Sequence, residues 1–187
     1  MTNAQIVLLI VAVALVIGVV LVLLRVQRSR RLRARFGPEY QRAVQKSGSP
    51  IRGEERLAKL EQRVERFKIH ELTASDRARF TETWRLVQAK FVDDPKIALV
   101  EGDRLIGEVM TARGYPVVDF EQQAEDLSVN HPFVVEHYRA GHEITRRHSQ
   151  GRASTEDLRQ AMIHYRSLFD DLVGTTDAQA RAAVTSR

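Results

Sequence analysis

The residues with the clearest chemical potential lie between positions 93 and 171. His142-Glu143-Ile144-Thr145-Arg146 falls one residue short of the HExxH zinc helix. That motif needs a second imidazole four residues after the first, and Arg146 stands there with a guanidinium that cannot ligate zinc, so the motif fails. His137, His142 and His148 follow at steps of 5 and 6 and would spread around a helix as surface or capping side chains. Gly102 and Gly107 flank four residues as in a phosphate loop, but Glu108 replaces the lysine that a phosphate would need. Asp93-Asp94 fits a helix N-cap, and Asp170-Asp171 falls near a helix end. Carboxylate pairs of this kind do acid-base work only with buried partners, which sequence does not reveal. With no cysteine, thiolate metal sites, disulfides and cysteine nucleophiles are excluded. The sequence therefore predicts no catalytic residue, no cofactor and no metal site, and an enzyme is the less favoured class.

The strongest signals are physical rather than catalytic. Residues 6–24 read IVLLIVAVALVIGVVLVLL, with seven Val, six Leu, three Ile, two Ala, one Gly and no polar side chain. As a helix this stretch spans roughly 28 Å, close to the hydrocarbon thickness of a bilayer. The flank before it carries no charged side chain, and Leu23-Leu24-Arg25 offers no small-residue cleavage site, so an anchor fits better than a cleaved signal. Residues 25–35 follow as RVQRSRRLRAR, where Arg25, Arg28, Arg30, Arg31, Arg33 and Arg35 give +6. The whole chain carries +5, which leaves −1 on residues 36–187. All net basicity is thus juxtamembrane. The positive-inside rule then puts the N-terminus outside and residues 25 onward in the cytoplasm. The six Arg face anionic headgroups as membrane-surface contacts, and nucleic acid is not an expected partner.

The elements that follow are all helical in period. Pro38 opens a short helix to about Lys46, and Ser47-Gly48-Ser49-Pro50 reads as a flexible break. Leu57, Leu60, Val64 and Phe67, at steps of 3, 4 and 3, form a two-heptad seam on a stalk helix from about Gly53 to Lys68. Docking on the following domain is favoured over oligomerisation. Thr73-x-x-Asp76 opens a helix with Phe80, Trp84, Val87 and Phe91 inward. Asp94 and Pro95 start the next, which ends at Gly114. Asp119-x-x-Gln122 begins a short helix, Asn130-His131-Pro132 another to about Arg147, and Ser154-x-x-Asp157 the last, closed by Gly174. Gly102, Gly107 and Gly141 within helices each cost about 1 kcal/mol relative to Ala, which close packing would offset. Residues 115–132 form the longest non-periodic stretch, and Tyr115, Asp119 and Glu121 are its candidate partner-surface residues.

The expected architecture is all-α: a transmembrane helix at 6–24, an Arg-rich juxtamembrane segment at 25–35, a linker and amphipathic stalk at 36–69, a helical bundle at 70–174 and a flexible tail at 175–187. FGPEY at 36–40, FVDDP at 91–95, RGYP at 113–116, DFE at 119–121, HP at 131–132 and STEDLRQAMIHYRSLF at 154–169 resemble a family of uncharacterised bacterial single-pass membrane proteins, described as hypothetical or secreted. The resemblance spans nearly all the soluble part. It implies bacterial origin and single-pass architecture and no activity or functional residue, and "secreted" conflicts with the cytoplasmic topology read from the Arg run. The function expected is a membrane-tethered interaction or adaptor module at the cytoplasmic face of the inner membrane, with lipid and an unidentified protein as partners. The alternative is a small membrane-associated enzyme or ligand-binding helical domain.

Overall fold

A computed structural model describes residues 3–116 and 118–174, and within them every regular element is a helix. These are α1 Asn3–Phe36, α2 Pro38–Ser47, α3 Pro50–Val64, α4 Ala74–Asp93, α5 Pro95–Ala112, α6 Phe120–Ser128, α7 Val135–Ser149 and α8 Thr155–Val173. The all-α expectation holds. Val118 joins no strand among the described residues, while its neighbour Val117 and the tail from 175 lie outside them. The chain divides into two compact units, Met1–Leu57 and Ala58–Arg187, with the boundary inside α3.

In the first unit, α1 runs unbroken from the apolar stretch through the Arg-rich segment to Phe36. It is long and apolar enough to cross a membrane, and its apolar side chains from Val11 to Leu24 are exposed. Leu32 and Phe36 at its base, Tyr40 and Ala43 on α2, and Leu57 on α3 are buried. The residues expected as a flexible break are a tight turn, with Gly48 left-handed and its N–H bonded to the Gln45 carbonyl. Gly53 lets α3 approach α2 closely, since a Cβ there would lie 2.9 Å from Val44 Cα. The Tyr40 hydroxyl donates to Glu54 Oε1 at 2.8 Å, and Ser29 Oγ lies 3.2 Å from the same hydroxyl. Tyr40 has one proton and gives it to Glu54, so Ser29 is the donor in that second bond.

The second unit is a helical bundle whose starts are written locally. Thr73, Asp94, Asp119 and Ser154 each accept from the backbone N–H three residues on, and Ser154 and Asp157 form a reciprocal capping box. Pro95 sits at the first position of α5, where its missing N–H removes nothing the helix uses. The predicted start of α7 at 130 is early. Pro132, Phe133 and Val134 make a turn, with Val134 N–H on the His131 carbonyl, and the helix begins at Val135. The core gathers Phe80, Trp84 and Val87 from α4, Leu99, Leu105, Ile106 and Met110 from α5, Leu127 from α6, Tyr138 from α7, and Leu158, Tyr165, Leu168, Phe169 and Leu172 from α8. Trp84 stacks on Phe169 with centroids 4.8 Å apart and planes 13° from parallel.

The C-terminal half of α3 belongs to this unit. Leu60 and Val64 are buried, and the Arg63 guanidinium holds Asp126 through Nε–Oδ1 and Nη2–Oδ2 contacts, both 3.2 Å. The helix stops at Val64, short of the expected Lys68. Arg66 and Phe67 bond back to the carbonyls of Arg63 and Val64 in tighter i,i+3 turns. That change of pitch takes Phe67 off the seam, and it is half-buried beneath the Arg63 guanidinium, 5.8 Å from its ring.

Candidate functional site

Four helices of the second unit converge on Asp103. It projects from α5 and accepts 2.7 Å from the hydroxyl of Tyr165 on α8, a side chain with no solvent exposure. Tyr165 reaches it by lying against α7 at Gly141, where a Cβ would stand 2.8 Å from Cε1 of the ring. The helical cost of Gly141 is therefore offset by close packing, whereas at Gly102 a Cβ would meet Met162, Trp84 and Val87 only at ordinary contact distances. Gly107 differs, with open space beside it. Thr145 Oγ1 lies 2.9 Å from the Tyr165 hydroxyl and 3.1 Å from the Gly141 carbonyl oxygen. Because the phenol proton goes to Asp103, Thr145 donates to one of those two oxygens. Burial, and then the charge of Asp103, push the Tyr165 hydroxyl far above the usual phenol range. The same causes raise Tyr138, which donates to Gln123 Oε1 at 2.9 Å. Both phenols are neutral donors at physiological pH.

His142 completes the cluster. Its ring lies on Phe120 of α6 with centroids 3.6 Å apart and planes 8° from parallel. Its Nδ1 points at Asp103 Oδ1 across 3.9 Å, beyond hydrogen-bond reach, and that nitrogen is shielded from solvent without a hydrogen-bond partner. The cluster thus sets an anchored carboxylate beside an imidazole nitrogen that has no hydrogen-bond partner. Thr145 is the other hydroxyl of the cluster, and its bonding to Tyr165 and Gly141 gives it no activating base. The sequence passed over this site because Asp103 and Tyr165 stand 62 positions apart and neither belongs to a motif. His142 belongs in the sequence to the failed zinc helix and to a histidine series read as surface or capping, and Glu143 of that motif is bonded by Arg146 at 2.8 and 2.6 Å.

A second cluster ties the 115–132 stretch to the end of α8. His131 Nδ1 bonds Asp171 Oδ2, Asn130 donates to the Tyr115 hydroxyl at 3.2 Å, and Arg113 donates to the Leu172 carbonyl at 2.9 Å. Tyr115 is buried, and burial raises its hydroxyl above the usual range. Of the three residues expected at a partner surface, it alone faces the core. The chain turns sharply after α5, with Tyr115 N–H on the Met110 carbonyl, which brings the ring inward. Asp119 is exposed and caps α6. Glu121 is exposed and accepts 3.1 Å from Arg139, which is itself buried.

In the first unit, Arg25, Arg28, Arg30, Arg31 and Arg33 are exposed along α1, and Arg35 is half-buried. The Arg33 guanidinium lies over the Tyr40 ring, 5.0 Å from its centroid. A surface concavity along α4 is lined by Ala74, Arg77, Ala78, Thr81 and Glu82 and contains no histidine and no pair of carboxylates. Among the described residues no group of three or more His, Asp or Glu side chains is placed to hold a metal ion.

Fold and sites together define an all-α protein with, among the described residues, one helix long and apolar enough to span a membrane, and a helical bundle. Comparison with protein-family models, curated proteins and solved structures gives no match.

Proposed function

We propose that this chain is a membrane-tethered helical interaction module that recruits or organises a protein partner at the cytoplasmic face of a bacterial inner membrane, with its N-terminus outside. The observation that carries the reading is α1 itself. Its apolar side chains from Val11 to Leu24 have no protein cover, and the same helix continues directly into the six Arg. Exposed apolar surface of this extent is unfavourable in water and favourable in lipid, and the charge that follows sets the direction of insertion. The Arg side chains contact anionic headgroups.

The chain has no native cysteine, so Gln88→Cys on the exposed side of α4 gives a single thiol. That thiol should resist a membrane-impermeant maleimide in intact spheroplasts and react after lysis. Labelling before lysis would put the bundle outside the cell. Cross-linking in intact membranes would then identify the partner.

A second reading, a helical domain that binds a small ligand, is favoured by the convergence of Asp103 and His142. Asp103→Asn would abolish binding of such a ligand and leave partner capture unchanged.

A further inference from the structure

We propose that His137 and His164 form an interhelical chelating pair for a late first-row divalent cation, Zn²⁺ being the natural candidate, with a coordination sphere completed from solvent. His137 stands near the start of α7 and His164 in the middle of α8, and their Nδ1 atoms face each other at 3.0 Å. The ring centroids are 5.2 Å apart, with planes inclined at 33°. Both side chains are half-buried, so the helices hold them while solvent still reaches the pair.

Two imidazole nitrogens this close need something between them. With no proton on either Nδ1, two lone pairs oppose each other. One proton makes an N–H···N bond, and two protons set two N–H groups against each other. A divalent cation satisfies both lone pairs at once. Metal–nitrogen bonds of about 2.0–2.1 Å separate two ligand nitrogens by about 3.0 Å at a right angle and about 3.3 Å at the tetrahedral angle. The observed 3.0 Å matches the first and needs only a few tenths of an ångström to reach the second. Imidazole donors select Zn²⁺, Ni²⁺ and Cu²⁺ over Ca²⁺ and Mg²⁺, which require oxygen.

This pair differs from the other histidines of the bundle. His131 Nδ1 is occupied by Asp171, and His142 is stacked on Phe120. The pair, by contrast, has no carboxylate bonded to either ring among the described residues. With only two protein ligands the site is open, and it clips α7 to α8 instead of building the fold.

The test uses the full-length, tag-free protein in detergent micelles, titrated with Zn²⁺ and separately with Ni²⁺ by calorimetry and followed by thermal melting. One saturable site in the micromolar range is expected, with a rise in melting temperature on binding. His137→Ala and His164→Ala should each weaken binding by at least about tenfold, while His148→Ala should leave it unchanged. His137→Gln and His164→Gln, which keep a polar side chain on each helix, separate ligand loss from any change in folding. No saturable binding up to about 1 mM, or binding that survives loss of either histidine, would overturn the site and leave a shared proton as what joins the two rings.

Discussion

The Tyr165 hydroxyl and the Asp103 carboxylate meet at 2.7 Å because position 141 has no side chain: the same ring that reaches Asp103 lies where a Cβ on α7 would be. This relationship links packing to electrostatics. Gly141→Ala forces a fully buried ring to shift and should destabilise the bundle by about 1–3 kcal/mol, the range for overpacking. Tyr165→Phe removes the donor without changing the packing and should cost about 1–2 kcal/mol, with Asp103 partly compensated by solvent. Urea unfolding of the two variants checks both figures.

The phenols also set an alkaline limit. The hydroxyls of Tyr165, Tyr138 and Tyr115 are all raised by burial, so above the unfolded value of 10.0 the unfolded chain loses these protons while the native one retains them. Unfolding then releases protons, and stability falls as pH rises through and beyond that value, while below it the contribution is fully present. Tyr165→Phe should flatten this decline, measured by urea midpoints between about pH 9 and pH 11. An unchanged alkaline slope would show that Tyr165 is not its source.

Trp84 reports on the core. It is the chain's single tryptophan, 4% exposed and stacked on Phe169. Its emission should be that of a buried indole in the native state and move to the red in one cooperative unfolding step. Trp84→Ala should cost about 3–5 kcal/mol.

How far the sequence reads depends on the distance over which each feature is encoded. Helix starts at Asp94-Pro95 and Ser154-x-x-Asp157 are local chemistry, and four bundle helices are legible from caps and period, while α7, which has no side-chain cap, is legible from period alone. The burial of Tyr115 is not legible, because an aromatic in a non-periodic stretch looks like surface until the turn onto Met110 O is known. The Tyr40–Glu54 bond crosses two helix boundaries, and the cluster at Asp103 requires the packing of α5, α7 and α8. Neither leaves any periodic trace, because each polar residue sits singly on its helix.

Asp126 offers a test of pH sign. Its carboxylate is buried, and burial holds its pKa above the usual value while Arg63 works in the opposite direction. Arg63→Ala leaves that charge in place without its cation. The expected loss is about 1–3 kcal/mol, below the figure for a fully buried pair because Arg63 itself is part-exposed. Protonating Asp126 removes the unpaired charge, so the variant's deficit should be largest at neutral pH and shrink as pH falls through the carboxylate range. Chemical denaturation at neutral and at acid pH separates this from a simple packing loss, which would not depend on pH.

The seam on α3 gives the last prediction. Leu60 and Val64 are buried within the single chain, and Arg63 between them grips Asp126, so the apolar stripe is already covered without a second copy. A zipper would have to release that cover and then meet the cost of association for a seam shortened by the departure of Phe67. Two buried side chains contribute about 1.5–3 kcal/mol each, which is ample for docking within one molecule and small against a bimolecular encounter. A fragment from Ile51 to Gly174 should therefore sediment as a monomer at micromolar concentration. Leu60→Asp, which places a charge in the docked face, should lower its melting temperature without changing its mass in solution. A concentration-dependent dimer that Leu60→Asp dissolves while the melting temperature stays fixed would assign the seam to self-association instead.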